Sequence, residues 1–295
     1  MISLPNSLDI KELLNNLRDI SWNVSDVFKS YNIKFFSKEE LITKLDVKNL
    51  EKGLVTAADL EVSELIKNKI KEKYPNVCWE FLSEEDENQK HRNFKDKWVW
   101  IIDPLDGTKD FVNGTGEYAM HLALYFKNQI IIGIVLVPAK ENLWIYFKGI
   151  GTWCEDRKNK KEMSFKQSLK NFCDITILTS RSHSHPKLQL LLERLKPKKI
   201  IGMGSIGYKV ASILQGKGDL YISYSLPNGS CPKDWDIAAP AAIIEGAGGY
   251  FTDIKGSKIE FLNRKGYEQG GILVSSINQN HQHLCEEISE RINIL

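Results

Sequence analysis

Apolar residues at Ile10, Leu13, Leu14, Leu17, Ile20, Val24, Val27 and Phe28 recur at three- and four-residue spacing. That period predicts a long amphipathic helix near the start of the chain. The spacing returns in "TAADLEVSELIKNKIKEKY", where Val62, Leu65, Ile66 and Ile70 form the core side of a second helix. The pattern then changes to short apolar runs. "VCWEFL" and "WVWII" read as strands, "MHLALYF" and "IIIGIVLVP" as a strand pair joined at Lys127-Asn128, and "NLWIYFK" as another strand. A polar, lysine-rich stretch, "EDRKNKKEMSFKQSLKN", interrupts the pattern and divides the chain into halves, 1–155 and 156–295. Beyond it come "ITILTS", the helix "HPKLQLLLERL", the strand "KKIIGM", the helix "GYKVASILQG" and the strand "DLYIS". "DWDIAAPAAIIEGAGG" is a helix closed by glycines. Adjacent strands in one half and alternating strand-helix units in the other give an α/β (α+β) class with layered sheets.

Composition narrows the partners. Among 295 residues, 40 are basic and 38 acidic, for a net charge of +2, so no global footprint for nucleic acid or an anionic membrane exists. No run reaches the ~18 apolar residues of a membrane helix. "MISLPNSLDIKELLNN" carries acids and amides where a signal peptide needs an unbroken apolar stretch. The five cysteines are scattered, with no C-x-x-C pair, and are expected as reduced thiols of a cytoplasmic protein.

The chemistry concentrates at element ends. In "WVWIIDPLDGTKDF" a buried strand runs into Asp103 and Asp106, and buried carboxylates are costly unless a cation offsets them. Pro104 is expected to stop the ladder and turn the chain, so that Asp106 swings back beside Asp103. The backbone N–H groups of Gly107 and Thr108 follow, where an anion could be held. Carboxylates beside an anion cradle repel the anion, and a hard divalent cation removes the conflict. Two such ions ~4 Å apart would activate a water and neutralise a leaving oxygen. Each acid also has a plainer reading. Asp103 and Asp106 could cap turns, Glu84 and Glu85 could belong to a solvated loop, and Asp236 could be an ordinary N-cap. Asp59, three residues after Thr56, has capping-box spacing.

Taken in order, "EFLSEED", "WIIDPLDGTKDF" and "DWDIAAPAAIIEGAGG" resemble the lithium-sensitive, magnesium-dependent phosphatases of the inositol monophosphatase superfamily, from about "VTAAD" to "GAGGYFTD". The resemblance implies a layered α-β-α-β-α sandwich and two or three Mg²⁺ ions. It implies Glu84, Asp103 and the Leu105 carbonyl as ligands of the first ion, and Asp103, Asp106 and Asp236 as ligands of the second. Thr108, paired with Asp59, would orient the attacking water, and Gly107 and Thr108 would hold the phosphate, with Asp236 also facing substrate. "GTKDFVNGTGEYAMHLAL" is most similar to the 3′(2′),5′-bisphosphate nucleotidases of sulfate assimilation. From "TSRSH" and "GSIGYK", Ser205 and Lys209 would hold the nucleotide's other phosphate and His183 would border the base. The implied activity is removal of the 3′-phosphate from 3′-phosphoadenosine 5′-phosphate or its sulfated relative, by a monomer or homodimer. Inositol monophosphatase and sugar bisphosphatase share the metal core and stay as alternatives, and a non-catalytic nucleotide- or metal-sensing module is a third. The family's mobile hairpin is not identifiable within 33–53.

Two motifs invite other chemistry. Gly202, Gly204 and Gly207 form G-x-G-x-x-G between a strand and a helix, but the acid that a dinucleotide site needs about 20 residues on is missing. "HQHLC" (His281, His283, Cys285) suggests zinc. Residues two apart on a helix point to different sides, so surface positions are expected for them.

Overall fold

The computed structural model describes residues 4–31, 57–86, 92–161, 165, 170–182, 185–226, 231–264 and 267–293. The first helix forms where the periodicity places it. α1 (Ile10–Ser30) starts at Asp9, whose carboxylate accepts from the Glu12 amide at 2.8 Å. α2 (Ala57–Lys73) lies against it. Both cover one face of a seven-stranded sheet made of β1 (Trp79–Ser83), β2 (Trp98–Asp106), β3 (Ala119–Phe126), β4 (Gln129–Val137), β5 (Asn142–Phe147), β6 (Gly151–Glu155) and β7 (Lys160–Lys161). The strands run in that order, with β1 parallel to β2 and every later pair antiparallel. Lys127 and Asn128 join β3 to β4 with φ of 46° and 59°, the left-handed pair that a two-residue hairpin demands.

The strand period sorts the side chains into two cores. Trp100 and Ile102 of β2 pack toward α1 and α2, whereas Val99 and Ile101 pack toward the opposite face. That opposite face meets α5 (Ile206–Leu214) and α6 (Asp234–Gly246), which a second sheet covers in turn. The second sheet has the order β11-β12-β10-β8-β9, from β8 (Thr176–Ser180), β9 (Lys199–Met203), β10 (Leu220–Ser225), β11 (Tyr250–Asp253) and β12 (Gly271–Ser276). Its outer face is closed by α4 (Pro186–Leu195) and α7 (His281–Asn293). A short α3 (Thr108–Val112) follows β2. The result is the expected α-β-α-β-α sandwich. Both faces of each sheet are buried, so the strands read as apolar runs rather than as alternating ones.

Three expectations change. β2 does not stop at Pro104. Asp103 pairs with His121 and Asp106 with Ala119, so three residues oppose two and the ladder resumes after a bulge. A residue without an N–H fits at such a bulge. β7 prolongs the first sheet past Glu155. β6, β7 and β11 carry too few consecutive apolar residues to stand out in the sequence. In α7, His281 and Cys285 are buried, and only His283 of the three faces solvent. Positions four apart share a face, and that face packs on β11 and β12. His281 bridges Thr252 Oγ1 and Ser276 Oγ, at 2.8 Å each.

Candidate active site

The site lies where four chain segments end together. Glu84 follows β1, and its amide donates to Ile102 O, so the β1–β2 ladder carries it to the level of Asp103. Its turn is tied down by Lys67 of α2, a mostly buried lysine whose ammonium bonds to Asp86. Asp103 is wholly buried within β2, and Asp106 ends that strand. Asp59 sits in the first turn of α2 and is 3% exposed. Asp236 lies in the first turn of α6, where it accepts from the Lys233 amide at 2.6 Å. The N-cap reading of Asp236 is thus met in part, since the carboxylate does serve a helix start.

Electrostatics shows how close these acids are. The Asp103 carboxyl is held well above the usual carboxylate range, first by burial and then by the charges of Glu84, Asp106, Asp236 and Asp59. Glu84 is raised as well, by desolvation and by Asp236, Asp59, Glu85 and Asp106. Asp236 is pushed up to about 7, by burial and by Asp106. Burial also raises Glu85, with Lys67 opposing. Mutually raised carboxyls are the signature of like charges crowded in a dry place, and such groups mark functional sites more often than chance. Asp103 Oδ1 accepts from the Leu105 amide at 3.1 Å, but Oδ2 is buried without a donor. An orphaned oxygen among raised acids fits a cation site. The carboxylates supply oxygen donors, which suit a hard divalent cation.

The residues expected on the phosphate side, Gly107 and Thr108, follow Asp106 directly. Gly107 holds φ +90°, a conformation that glycine alone adopts freely, and a side chain there would press on Glu117 O and the Ser205 amide at 3.2 Å. Thr108 opens α3, and its hydroxyl donates to the Leu105 carbonyl at 3.2 Å.

Ser205 and Lys209, expected to hold the nucleotide's other phosphate, are both buried in this structure. Ser205 is the N-cap of α5 and is 1% exposed; its hydroxyl donates to Asp106 Oδ2 at 2.6 Å and accepts from the Tyr208 amide. Lys209, also 1% exposed, donates to the Gly204 carbonyl and lies over the Tyr221 ring. Burial pulls its ammonium down to about 8, against the pull of Asp106, Asp110 and Glu117. Helical spacing put the two on one side, but that side faces the core beneath Asp106. His183 and Thr56, like the whole of 33–53, lie outside the described residues.

Three groups near the site escaped the sequence reading. His121 of β3 is 1% exposed, with Nδ1 3.6 Å from Asp103 Oδ2 and Nε2 3.5 Å from Asp106 Oδ2. Its only sequence sign is a lone polar residue in an apolar strand. Arg181, in "TSRSH", pairs with Asp110 and Glu117 and so ties α3 to the end of β8. Asp234 is wholly buried, accepting from the Leu262 amide and the Gln269 amide group at 2.6 Å each. Two of the G-x-G-x-x-G glycines, Gly204 and Gly207, prove to be packing devices, whereas a Cβ on Gly202 would meet only ordinary contacts. A Cβ on Gly204 would collide with Glu117 O and lie 2.6 Å from Asp110 Oδ2. One on Gly207 would collide with His121 Nε2. Among the described residues, Asp103, Asp106 and His121 form the cluster with metal-ligating spacing, and α7 contributes none. All five cysteines are free, and no described helix is long and apolar enough to cross a membrane.

Known proteins are similar to this chain in sequence and in fold. The chain is 28% identical over 235 residues to the 3′(2′),5′-bisphosphate nucleotidase CysQ of Escherichia coli (strain K12), covering 78% of this chain and 88% of that protein. It is 27% identical over 256 residues to inositol monophosphatase 1 of Bos taurus, covering 84% and 85%. The fold is that of the IMPase of Thermotoga maritima, with a TM-score of 0.69 at 22% identity over 96% of this chain and 99% of that one. The extragenic suppressor protein suhB of Bartonella henselae gives 0.71 at 20% identity, covering 95% and 98%. Residues 10–293 match the profile described as the inositol monophosphatase family. With that match spanning nearly the whole chain and the acids gathered at its centre, the chain belongs to the inositol monophosphatase family of metal-dependent phosphatases.

Proposed function

We propose that the chain is a magnesium-dependent phosphomonoesterase that removes the 3′-phosphate of a 3′,5′-bisphosphorylated nucleotide such as 3′-phosphoadenosine 5′-phosphate. The observation that carries the phosphatase part is the convergence of Asp59, Glu84, Asp103, Asp106 and Asp236, all charge-coupled, around the donor-less Asp103 oxygen. Glu84, Asp103, Asp106, Asp236 and the Leu105 carbonyl would hold the ions. Bound magnesium would supply the positive charge that lets a phosphate approach these acids and steadies the leaving oxygen. The chain's own groups do the rest. Gly107 and Thr108 border the place of the phosphate, and its close packing on Ser205 keeps that turn in place. With the Leu105 carbonyl engaged by an ion, the Thr108 hydroxyl, which donates to that carbonyl in this structure, would donate instead to Asp59 and so turn its lone pair toward the attacking water. The same five acids speak against a sensing module without turnover.

The nucleotide preference is supported by "GTKDFVNGTGEYAM" and by the likeness to CysQ. An inositol monophosphate is the second reading, favoured by a likeness of nearly equal identity. Phosphate release decides between them when 3′-phosphoadenosine 5′-phosphate, its sulfated relative, an inositol monophosphate and a sugar bisphosphate are compared at equal Mg²⁺. The expected result is a kcat/KM for the bisphosphate nucleotide at least tenfold above the others. A higher value for the inositol phosphate overturns the nucleotide reading and leaves the phosphatase reading standing. Lithium and excess calcium are both expected to inhibit, since calcium's looser coordination misplaces the water.

A further inference from the structure

The strongest unassigned feature is His121, and the inference drawn from it rests on the metal-site reading above. His121 stands directly opposite Asp103 in the β2–β3 ladder. By distance and angle neither of its ring nitrogens is hydrogen-bonded, nor is Asp103 Oδ2; the Trp235 backbone is the other polar group close enough to the ring to act on it. The two neighbouring acids differ in what they lack. Asp106 Oδ2 already accepts from the Ser205 hydroxyl and the Ile206 amide. Asp103 has one donor, the Leu105 amide, on Oδ1. The ring has no freedom to turn elsewhere, because α5 closes on its Nε2 edge at Gly207, where even a methyl group would collide. The Nδ1 edge is the one that faces an acceptor in need of a proton.

We propose that His121 is a positioning residue of the metal site. As a neutral imidazole protonated at Nδ1, it donates to Oδ2 of Asp103 and, with the Leu105 amide on Oδ1, fixes the plane of that carboxylate. Each oxygen then spends one lone pair on a protein donor and keeps one for a cation. A carboxylate assigned to two ions needs both oxygens, so its plane is the angle that matters most in the site. Partners of metal ligands of this kind typically change metal affinity by about 10–100-fold when removed.

The test is calorimetric titration of chelator-stripped protein with Mg²⁺, for wild type, His121→Asn, His121→Gln and His121→Leu. Melting temperatures are recorded for each in chelator and in saturating Mg²⁺. An asparagine amide nitrogen occupies the branch position of Nδ1, and a glutamine nitrogen that of Nε2. His121→Asn should bind within about threefold of wild type, and His121→Gln and His121→Leu about 10–100-fold more weakly. The Mg²⁺-induced rise in melting temperature should shrink in the same order. Wild-type affinity in the Gln and Leu variants overturns the inference, as does an Asn variant as weak as Leu. Lower melting temperatures in both buffers with unchanged affinity also overturn it, because they show packing alone. Should His121→Leu fail to fold, the comparison of Asn with Gln decides. Absence of Mg²⁺ binding in the wild type would remove the metal-site reading itself, a different failure from any of these.

Discussion

Asp59, Asp106 and His281 show how a residue takes its role from its surroundings. Asp106→Asn keeps an acceptor for Ser205 and Ile206 but loses a charge, so turnover should fall by several orders of magnitude with the fold intact. Phosphate release and circular dichroism on one sample check both halves of that expectation. Asp59→Asn should lower kcat about 10²–10⁴-fold with KM nearly unchanged. If Asp59 only caps α2, the change should instead cost about 1 kcal/mol of stability and leave the rate alone. His281 lies far from the acids and titrates differently. Burial holds its pKa down to about 4, below the ordinary 6.5. Above pH 6.5 the ring is neutral in both the folded and unfolded chain, and its contribution is fully present. As pH falls toward 4, the unfolded chain binds a proton that the folded chain cannot, and stability is lost. At pH 5 the loss should be about 2 kcal/mol. Denaturant melts of wild type and His281→Gln at pH 7 and pH 5 measure it as a difference, in which the common titration of the acids cancels. Equal pH dependence in the two proteins would refute it.

At the scale of elements, α5 is the piece on which the site leans. Its N-cap holds Asp106, its first turn presses on His121, and the Gly204 turn before it nests against Glu117 and Asp110. Gly207→Ala should destabilise the protein by ~1–3 kcal/mol, as overpacking does. Gly204→Ala should cost at least as much, because one of its obstacles is the Glu117 backbone carbonyl, which cannot rotate aside. Chemical denaturation at a fixed Mg²⁺ concentration gives both values, and a loss below about 0.5 kcal/mol for either would contradict the packing account. The same glycines looked like a dinucleotide fingerprint in the sequence. Both uses exploit the missing Cβ, and only the neighbouring chain says which one applies.

At the scale of the molecule, the acids set a conflict between stability and function. Burying Asp103, Glu84 and Asp236 together raises their pKa values, so without a cation the chain must bear their repulsion or bind protons to relieve it. A ligand that binds only the folded state stabilises it by about 2.7 kcal/mol at one hundred times its Kd. For a chain of this length that predicts a rise of about 5 °C in melting temperature on adding Mg²⁺, reversed by chelator. Scanning calorimetry with and without chelator tests it. No shift would mean that the acids do not form a cation site.

The helices, the apolar strands and the order of the acidic motifs were legible in the chain, because periodicity and D-P-L-D-G-T or W-D-x-A-A spacing are local properties. The hairpin at Lys127-Asn128 was legible for the same reason. Tertiary structure alone decided the rest. Whether Ser205 and Lys209 face solvent or core depends on which side of α5 meets β3, and no local spacing contains that. His121 acquires its place from the β2–β3 register, which sets Asp103 opposite it, and from the bulge beyond, which leaves Asp106 near its other ring nitrogen, and Lys67 its place from a turn reached through a different strand. His281 and Cys285 are buried because α7 packs on β11 and β12, strands that only the sheet brings to it. A residue's local pattern is set by its neighbours in sequence, whereas burial and charge coupling are set by neighbours in space, and those exist only once the layers have closed.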